Sequence, residues 1–260
     1  MRIAMDTCSL EHIIYGHSSC VMADLKSLIG CGHTFVLADH TLMEIATHHK
    51  EGRYNEPARK ALNEYFDMLD ENGPVLSGGY DIPNKIAAKI HGVPYRHEYY
   101  RAALSQLIRF INDMPPQDIH YTTDSGTFKV EPLSVATRSI MDQVNHNWDS
   151  TLLGKAKSTP IVDQKRDISN DYSHLVKDFG DRLDLAIRYR YEVENDKHYH
   201  PGSNSKKNDG IDYSMLLYLA HDDVYVTSDD VKFVKRVKSI GSPQGARIGH
   251  LDEMRAALAC

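Results

Sequence analysis

Residues 224–230 read Val-Tyr-Val-Thr-Ser-Asp-Asp, a β-branched and aromatic run that ends in two acids. Such a short apolar run is typical of a buried strand. Residues 2–7, Arg-Ile-Ala-Met-Asp-Thr, repeat this arrangement near the start of the chain. Ligands of open α/β sheets bind at the carboxyl ends of the strands, so Asp6 and Asp229 are the first candidates for a functional site. If the two strands pair in parallel, both carboxylates lie at one edge of the sheet.

The segments around these strands alternate between strand and helix. Thr34–Ala38 is predicted as a second strand, and the apolar spacing that follows it predicts a helix over His40–His48. Helices are also predicted on both sides of the last strand, over Gly210–His221 and Asp230–Lys238. The predicted fold class is therefore α/β, with a central, mainly parallel sheet covered by helices.

The middle of the chain is predicted to be largely helical. Its helical segments lie at 56–69, 99–111, 133–153 and 172–194, and its loops at 73–83, 115–126 and 198–208. We expect a single domain over residues 1–260, with a core from 1–50 and 208–260 and a mostly α-helical insertion at about 51–207. The insertion is expected to serve as a lid, as a homo-oligomer contact or as the docking site of a protein inhibitor or partner. Its mixed charge favours none of these roles.

The composition is that of a globular protein. With 260 residues, of which 41% are hydrophobic, the chain can bury a core without disulfides or a structural metal. The longest apolar run, Met215–Ala220, is far shorter than the roughly 20 residues of a membrane-spanning helix, so no membrane partner is expected. The amino terminus lacks the features of a secretory signal, and the four cysteines form no Cys-x-x-Cys pair. We expect a cytoplasmic protein with free thiols.

Further acids fall beside the same strands. Glu44 lies on the helix after the second strand, and Asp209 and Asp212 lie at the start of the helix before the last strand. Mg²⁺ and Mn²⁺ prefer oxygen ligands and keep several waters, so a few carboxylates around an open cavity suit them. A bound divalent ion can activate water and stabilise the charge of a phosphate. The pattern therefore favours phosphodiester hydrolysis.

The order of these residues resembles that of PIN-domain nucleases. Asp6-Thr7 follows the first strand, Glu44 lies early in a helix, an aspartate opens the penultimate helix, and Thr-Ser-Asp-Asp at 227–230 follows a strand. The resemblance covers about residues 1–50 and 208–240. It implies a three-layer α/β/α sandwich with a central, mainly parallel sheet, related to flap endonucleases, with Mg²⁺ or Mn²⁺ as cofactor and, most often, single-stranded RNA as substrate. The catalytic, metal-binding residues that it implies are Asp6, Glu44, Asp212 and Asp229, with Asp209 as a further metal ligand and Thr7, Thr227, Ser228 and Asp230 in support.

The third acid of this set is a choice between two aspartates. Asp212 precedes Asp229 by 17 positions and fits the usual opening of the helix, whereas Asp209 precedes it by 20. We favour Asp212, assisted by Asp209. Lys206 and Lys207 lie shortly before both in the sequence and are predicted to contact nucleic acid. The formal net charge of -6 does not by itself suggest such a partner, although a metal-dependent nuclease also needs carboxylates for its metals.

Each acid also has an ordinary structural explanation. Asp6 could begin a turn, Asp229 could cap the helix that follows it, and Glu44 could be a solvated helix residue. The segment 209–212 resembles a capping box. At the level of function, a DNA-directed nuclease of the same fold stays open, because the metal chemistry attacks either backbone. A non-catalytic PIN-like binding module stays open too, because a fold does not imply a function.

Overall fold

The structure, a computed structural model, describes residues 1–76, 82, 108, 119–123, 126–130, 182–190, 192–193, 196 and 209–260. Its strands are β1 (Arg2–Met5), β2 (Thr34–Val36), β3 (Ile119–Thr123), β4 (Gly126–Val130), β5 (Val224–Thr227) and β6 (Ile248–Gly249). Its helices are α1 (Thr7–Ile14), α2 (Met22–Gly30), α3 (Asp39–Lys50), α4 (Glu56–Phe66), α5 (182–190), α6 (Asp209–Leu217), α7 (Val231–Ser239) and α8 (Leu251–Leu258). Short 3-10 turns follow at Tyr218–Ala220 and Pro243–Arg247. In the part of the chain that the structure describes, no helix has the length and apolar character needed to cross a bilayer.

A parallel sheet forms from the two ends of the chain, with the strand order β2-β1-β5-β6. β1 pairs in parallel with β2 and with β5, and Met5 lies opposite Thr227 in the register. The three residues from Ile3 to Met5 are fully buried, as is typical of a central parallel strand. The predicted α/β class and the parallel pairing of residues 2–5 with 224–227 are confirmed.

Alternate residues of β1 enter two different hydrophobic clusters, because successive side chains of a strand point to opposite faces. Ala4 belongs to a cluster with residues of α5, α6 and α7. Ile3 and Met5 belong to a cluster with residues of α1, α2, α3, α4 and α8. Full burial of a large aliphatic side chain contributes about 1.5–3 kcal/mol, so the contacts in both clusters stabilise the strand.

The helices predicted beside the sheet form with small shifts of their ends. The predicted helix 40–48 is α3, the predicted helix 56–69 is α4, and the predicted helix 210–221 is α6 with its 3-10 turn. Residues 51–76, on the insertion side of the predicted boundary, pack against the sheet. There, parallel bridges join Phe35 to Leu69 and Leu37 to Val75.

One predicted loop is wrong. Residues 115–126 were expected to form a loop, but β3 and β4 pair as antiparallel strands, with Ile119 opposite Val130 and Thr123 opposite Gly126. The β-branched and aromatic residues of Ile-His-Tyr-Thr-Thr at 119–123 outweigh the prolines before them. The predicted helices at 133–153 and, apart from Ile108, at 99–111 lie outside the described residues.

The prediction of free thiols is wrong for two of the four cysteines. Cys31 and Cys260 form a disulfide, with their Cα atoms 5.7 Å apart, whereas Cys8 and Cys20 are free. Cys31 ends α2 and Cys260 follows α8, and these two helices pack against each other. The bonded cysteines are 229 positions apart, so no local spacing in the sequence could reveal them.

Candidate functional site

Asp6 lies at the carboxyl end of β1 and is the N-cap of α1. Its Oδ1 accepts a hydrogen bond from the Thr7 N–H at 2.7 Å, which is the usual role of an aspartate at this position. Its Oδ2 accepts from the Ser228 hydroxyl at 2.9 Å and from the Cys8 thiol at 3.0 Å. The backbone N–H of Asp6 also donates to the Thr227 carbonyl at 2.8 Å. The ends of β1 and β5 are therefore joined by both backbone and side-chain bonds.

Glu44 reaches the same edge of the sheet from α3. Its Oε2 accepts a hydrogen bond from the Thr7 hydroxyl at 2.5 Å, and the residue is only 9% exposed. Thr7 therefore donates to both carboxylates, through its N–H to Asp6 and through its hydroxyl to Glu44. One turn further along, His48 of α3 bonds to Glu11 of α1 at 2.7 Å. The second contact lies four residues after the first on both helices, so the two contacts hold α1 and α3 side by side.

Burial and neighbouring charges shift the ionisation of both carboxyl groups. Burial raises the pKa of Asp6; hydrogen bonds to its oxygens lower it in part, and the charge of Asp230 raises it further. Burial, followed by the charge of Asp6, raises the pKa of Glu44 to about 7. Burial and the same charge also raise the pKa of the Cys8 thiol, which keeps it protonated as a donor. The half-buried Asp6 and the buried Glu44 thus form a pair of like groups.

Asp229 directly follows Ser228, which donates to Asp6, but the carboxylate of Asp229 contacts other elements. Its Oδ2 is 2.8 Å from His12 Nδ1 of α1, and its Oδ1 accepts from the Leu251 N–H at 3.2 Å. His250 Nδ1 lies 3.0 Å from the Ser228 carbonyl oxygen and 3.8 Å from Asp229 Oδ1. Asp229 therefore connects the end of β5 to α1 and to the start of α8.

The remaining residues of the 227–230 motif have separate structural contacts. Asp230 caps α7, because its Oδ1 accepts from the N–H groups of Lys232 and Phe233 at 2.8 and 2.9 Å. The structural alternative in which Asp229 caps this helix is therefore wrong. The Thr227 hydroxyl lies in the interior, 3.4 Å from the hydroxyl of Ser9.

The third acid lies on α6. Asp212 is half-buried in the first turn of this helix. The side chain of Asp209 lies outside the described residues, and so do Lys206 and Lys207. The choice between the two aspartates and the nucleic-acid role of the lysines stay predictions. The direct contacts at the site thus join Asp6, Thr7, Glu44 and Ser228.

A buried polar cluster at the end of β2 was missed by the sequence analysis. Asp39 and His40 open α3, and their side chains are 5% and 3% exposed. The Tyr218 hydroxyl donates to Asp39 Oδ1 at 2.5 Å, and His40 Nδ1 is 2.8 Å from Asp39 Oδ1 and from Ser214 Oγ. The signal was available, because Asp39 follows a predicted parallel strand just as Asp6 and Asp229 do.

The oxygen donors fit a hard divalent cation better than zinc. Mg²⁺ is commonly held by one or two carboxylates together with waters and substrate phosphates, which Asp6 and Glu44 would satisfy. Within residues 1–76, 209–260 and the shorter described segments, no group of three or more His, Cys, Asp or Glu side chains is arranged to hold a metal ion. The candidate centre is therefore a pair of carboxylates.

Comparisons with protein-family models, with curated proteins and with solved structures find no match for this chain. The support for a function of Asp6 and Glu44 is their position at the sheet edge and their contacts there.

Proposed function

We propose that this protein is a Mg²⁺- or Mn²⁺-dependent endonuclease that hydrolyses single-stranded RNA, with a PIN-like three-layer α/β/α architecture. The observation that carries the proposal is the pair of carboxyl groups of Asp6 and Glu44, joined through Thr7 at the carboxyl edge of the parallel sheet. This is the edge at which α/β sheets bind ligands.

The electrostatics of the pair support a cation. Burial raises the pKa of both carboxyl groups, and the charge of Asp6 raises that of Glu44 further, so the two groups are stable as anions only if a positive charge compensates them. The charges of His48 and His40 lower the pKa of Glu44, yet that pKa stays raised to about 7. A divalent cation at the pair would keep both groups ionised at neutral pH. The pair is therefore better suited to holding a metal than to packing alone.

The side chains around the pair have defined tasks in this proposal. Asp6 and Glu44 hold the metal, with Asp212 as the third acid and Asp209 in support. Ser228 and Cys8 donate to one oxygen of Asp6, while Thr7 donates to Glu44, so that the orientation of both carboxylates is fixed. Asp229, held by His12 and Leu251, completes the acidic edge of the site. When bound, the metal would supply an activated water and stabilise charge on the phosphate.

The proposal is tested with Asp6→Asn and Glu44→Gln, assayed on a single-stranded RNA oligonucleotide with Mg²⁺ or Mn²⁺. Loss of a direct ligand should lower the cleavage rate by more than the roughly 10–100-fold that is typical of outer-shell changes. Asp223→Asn is the matched control, because Asp223 lies at the opposite end of β5, is 61% exposed and pairs with Arg2. If Asp6→Asn and Glu44→Gln both cleave as fast as Asp223→Asn, the proposed site is wrong.

Substrate class is tested in parallel digests of RNA and DNA oligonucleotides of the same sequence. RNA cleavage alone supports the ribonuclease, because discrimination rests on the 2′-hydroxyl. DNA cleavage alone would contradict the proposed substrate and favour the DNA-directed nuclease. A wild-type protein that cuts neither RNA nor DNA and binds no Mn²⁺ in calorimetry would contradict the catalytic function. It would favour the non-catalytic binding module instead.

A further inference from the structure

A network of hydrogen bonds joins the first turn of α3 to α6 and to the 3-10 turn after it. It consists of Asp39 and His40 on one side and Ser214 and Tyr218 on the other. Ser214 and Tyr218 are fully buried, and the side chains of Asp39 and His40 are nearly so. The network therefore lies in the interior, between the helix that carries Glu44 and the helix that carries Asp212.

The donors and acceptors of this network follow from the available protons. The hydroxyl of Ser214 donates its only proton to the Ile211 carbonyl at 2.6 Å, so its oxygen must accept from His40 Nδ1. The hydroxyl of Tyr218 donates to Asp39 Oδ1 and accepts from the Asp39 N–H at 3.2 Å. Each of these contacts thus has a fixed direction, and the carboxylate of Asp39 is an acceptor throughout.

The two connections are one helical turn apart on the α6 side, since Ser214 and Tyr218 are four residues apart. Two such bonds fix both the height of α6 along α3 and its rotation about its own axis. A buried ion pair is costly to desolvate, and apolar residues of similar volume often give equal or greater stability. A contribution of the network to geometry is therefore a better account of it than a contribution to stability.

We propose that Asp39, His40 and Tyr218 are positioning residues that set the Asp212 carboxylate of α6 against the Glu44 carboxylate of α3. This inference rests on the proposed metal-dependent function. Outer-shell partners of this kind orient the groups that hold the metal, and their loss typically lowers metal affinity about 10–100-fold. The network adds no group to the site and acts only through the two helices.

The test is Tyr218→Phe in the full-length protein, which removes one hydroxyl and keeps the buried ring. We expect the Mn²⁺ dissociation constant in calorimetry to rise about 10–100-fold. The Mn²⁺ concentration for half-maximal RNA cleavage should rise in parallel, and saturating Mn²⁺ should restore the rate to within a few-fold of wild type. Without metal, backbone amides of α6 should exchange hydrogen faster than in wild type. Ser214→Ala is the second variant and should change all three quantities in the same direction.

Tyr65→Phe is the matched control. It removes a hydroxyl from another fully buried tyrosine, and this hydroxyl has no hydrogen-bond partner in the described part of the chain. The inference is overturned if folded Tyr218→Phe and Ser214→Ala bind Mn²⁺ as tightly as Tyr65→Phe. It is also overturned if saturating Mn²⁺ does not restore cleavage in either. A wild-type protein without Mn²⁺ binding would instead refute the proposed function itself, before any variant is compared.

Discussion

Glu44 has a buried carboxyl group close to a second carboxyl group, that of Asp6. Burial, and then the charge of Asp6, raise the pKa of Glu44 to about 7 from an ordinary value of 4.5. Between these two pH values the folded protein keeps a proton on Glu44 that the unfolded chain has lost. The folded state therefore binds more protons, and this group's contribution to the free energy of unfolding decreases as the pH rises through this range.

We predict that Glu44→Gln removes this dependence. The free energy of unfolding of the wild type, relative to that of Glu44→Gln, should fall as the pH rises from about 4.5 to about 7. The fall should be about 3 kcal/mol at most, since each unit of pKa corresponds to about 1.4 kcal/mol. The measurement is guanidinium unfolding of the metal-free proteins at several pH values. Glu64→Gln is the control, because the side chain of Glu64 is 41% exposed and pairs with Lys26. A constant difference between wild type and Glu44→Gln across the range would refute the assigned ionisation.

The residues of the site differ in how far the sequence could predict them. The position of Asp6 followed from one rule, since it ends a buried strand and caps the next helix. Asp229 follows a strand as well, yet its carboxylate bonds to His12 and Leu251, which depends on the packing of α8. The Asp39 network joins side chains 179 positions apart, so it requires the tertiary arrangement of α3 and α6.

At the scale of elements, α7 begins beside the site. Asp230 caps it through two backbone N–H groups, and the charge of Asp230 contributes to the raised pKa of Asp6. The same side chain therefore starts a helix and acts on the electrostatics of the site. These two effects can be separated, because asparagine caps a helix about as well as aspartate but carries no charge.

We predict that Asp230→Ala lowers the free energy of unfolding by about 1 kcal/mol relative to Asp230→Asn, because alanine cannot accept the two bonds of the cap. Both variants should lower the pKa of Asp6, since both remove the negative charge. The measurements are guanidinium unfolding and carboxyl titration by nuclear magnetic resonance. Equal stability of the two variants would show that the cap contributes little, and an unchanged Asp6 titration would exclude the electrostatic effect.

The elements that the sequence predicted best are those whose pattern is local. The strands at 2–5 and 224–227 and the helices α3, α4 and α6 follow from apolar spacing. The β3–β4 pair was missed because prolines and glycines were given more weight than the strand-forming residues between them. The two-residue strand β6 is too short to have a recognisable sequence pattern, so only its pairing with β5 identifies it as a strand.

At the scale of the whole molecule, the sheet requires both ends of the chain. β1 and β2 come from the first 36 residues, while β5 and β6 come from residues 224–249, and β1 lies between β2 and β5. The site depends on this arrangement, because the side chains of Asp6 and Ser228 come into contact only when β1 and β5 pair. Pairings over such sequence distances carry a high loop-closure cost, which the buried contacts of the two clusters must offset.

The disulfide between Cys31 and Cys260 lowers this loop-closure cost. It joins residues 229 positions apart, so it restricts the unfolded chain over almost its whole length. α8 has further anchors, because Leu251 and Met254 are buried and His33 Nε2 lies 3.0 Å from the Leu258 carbonyl oxygen. The fold should therefore survive reduction but lose stability.

We predict that reduction, or the double change Cys31→Ser and Cys260→Ser, lowers the free energy of unfolding by up to about 5 kcal/mol, as expected for closing a loop of this length. The measurement is guanidinium unfolding with and without reductant. The double variant is the control, because reductant should not move its unfolding curve. Thiol titration of the oxidised, unfolded wild type should find two reactive groups, Cys8 and Cys20. Four reactive groups would show that the pair is not bonded, and the two curves of the wild type should then coincide.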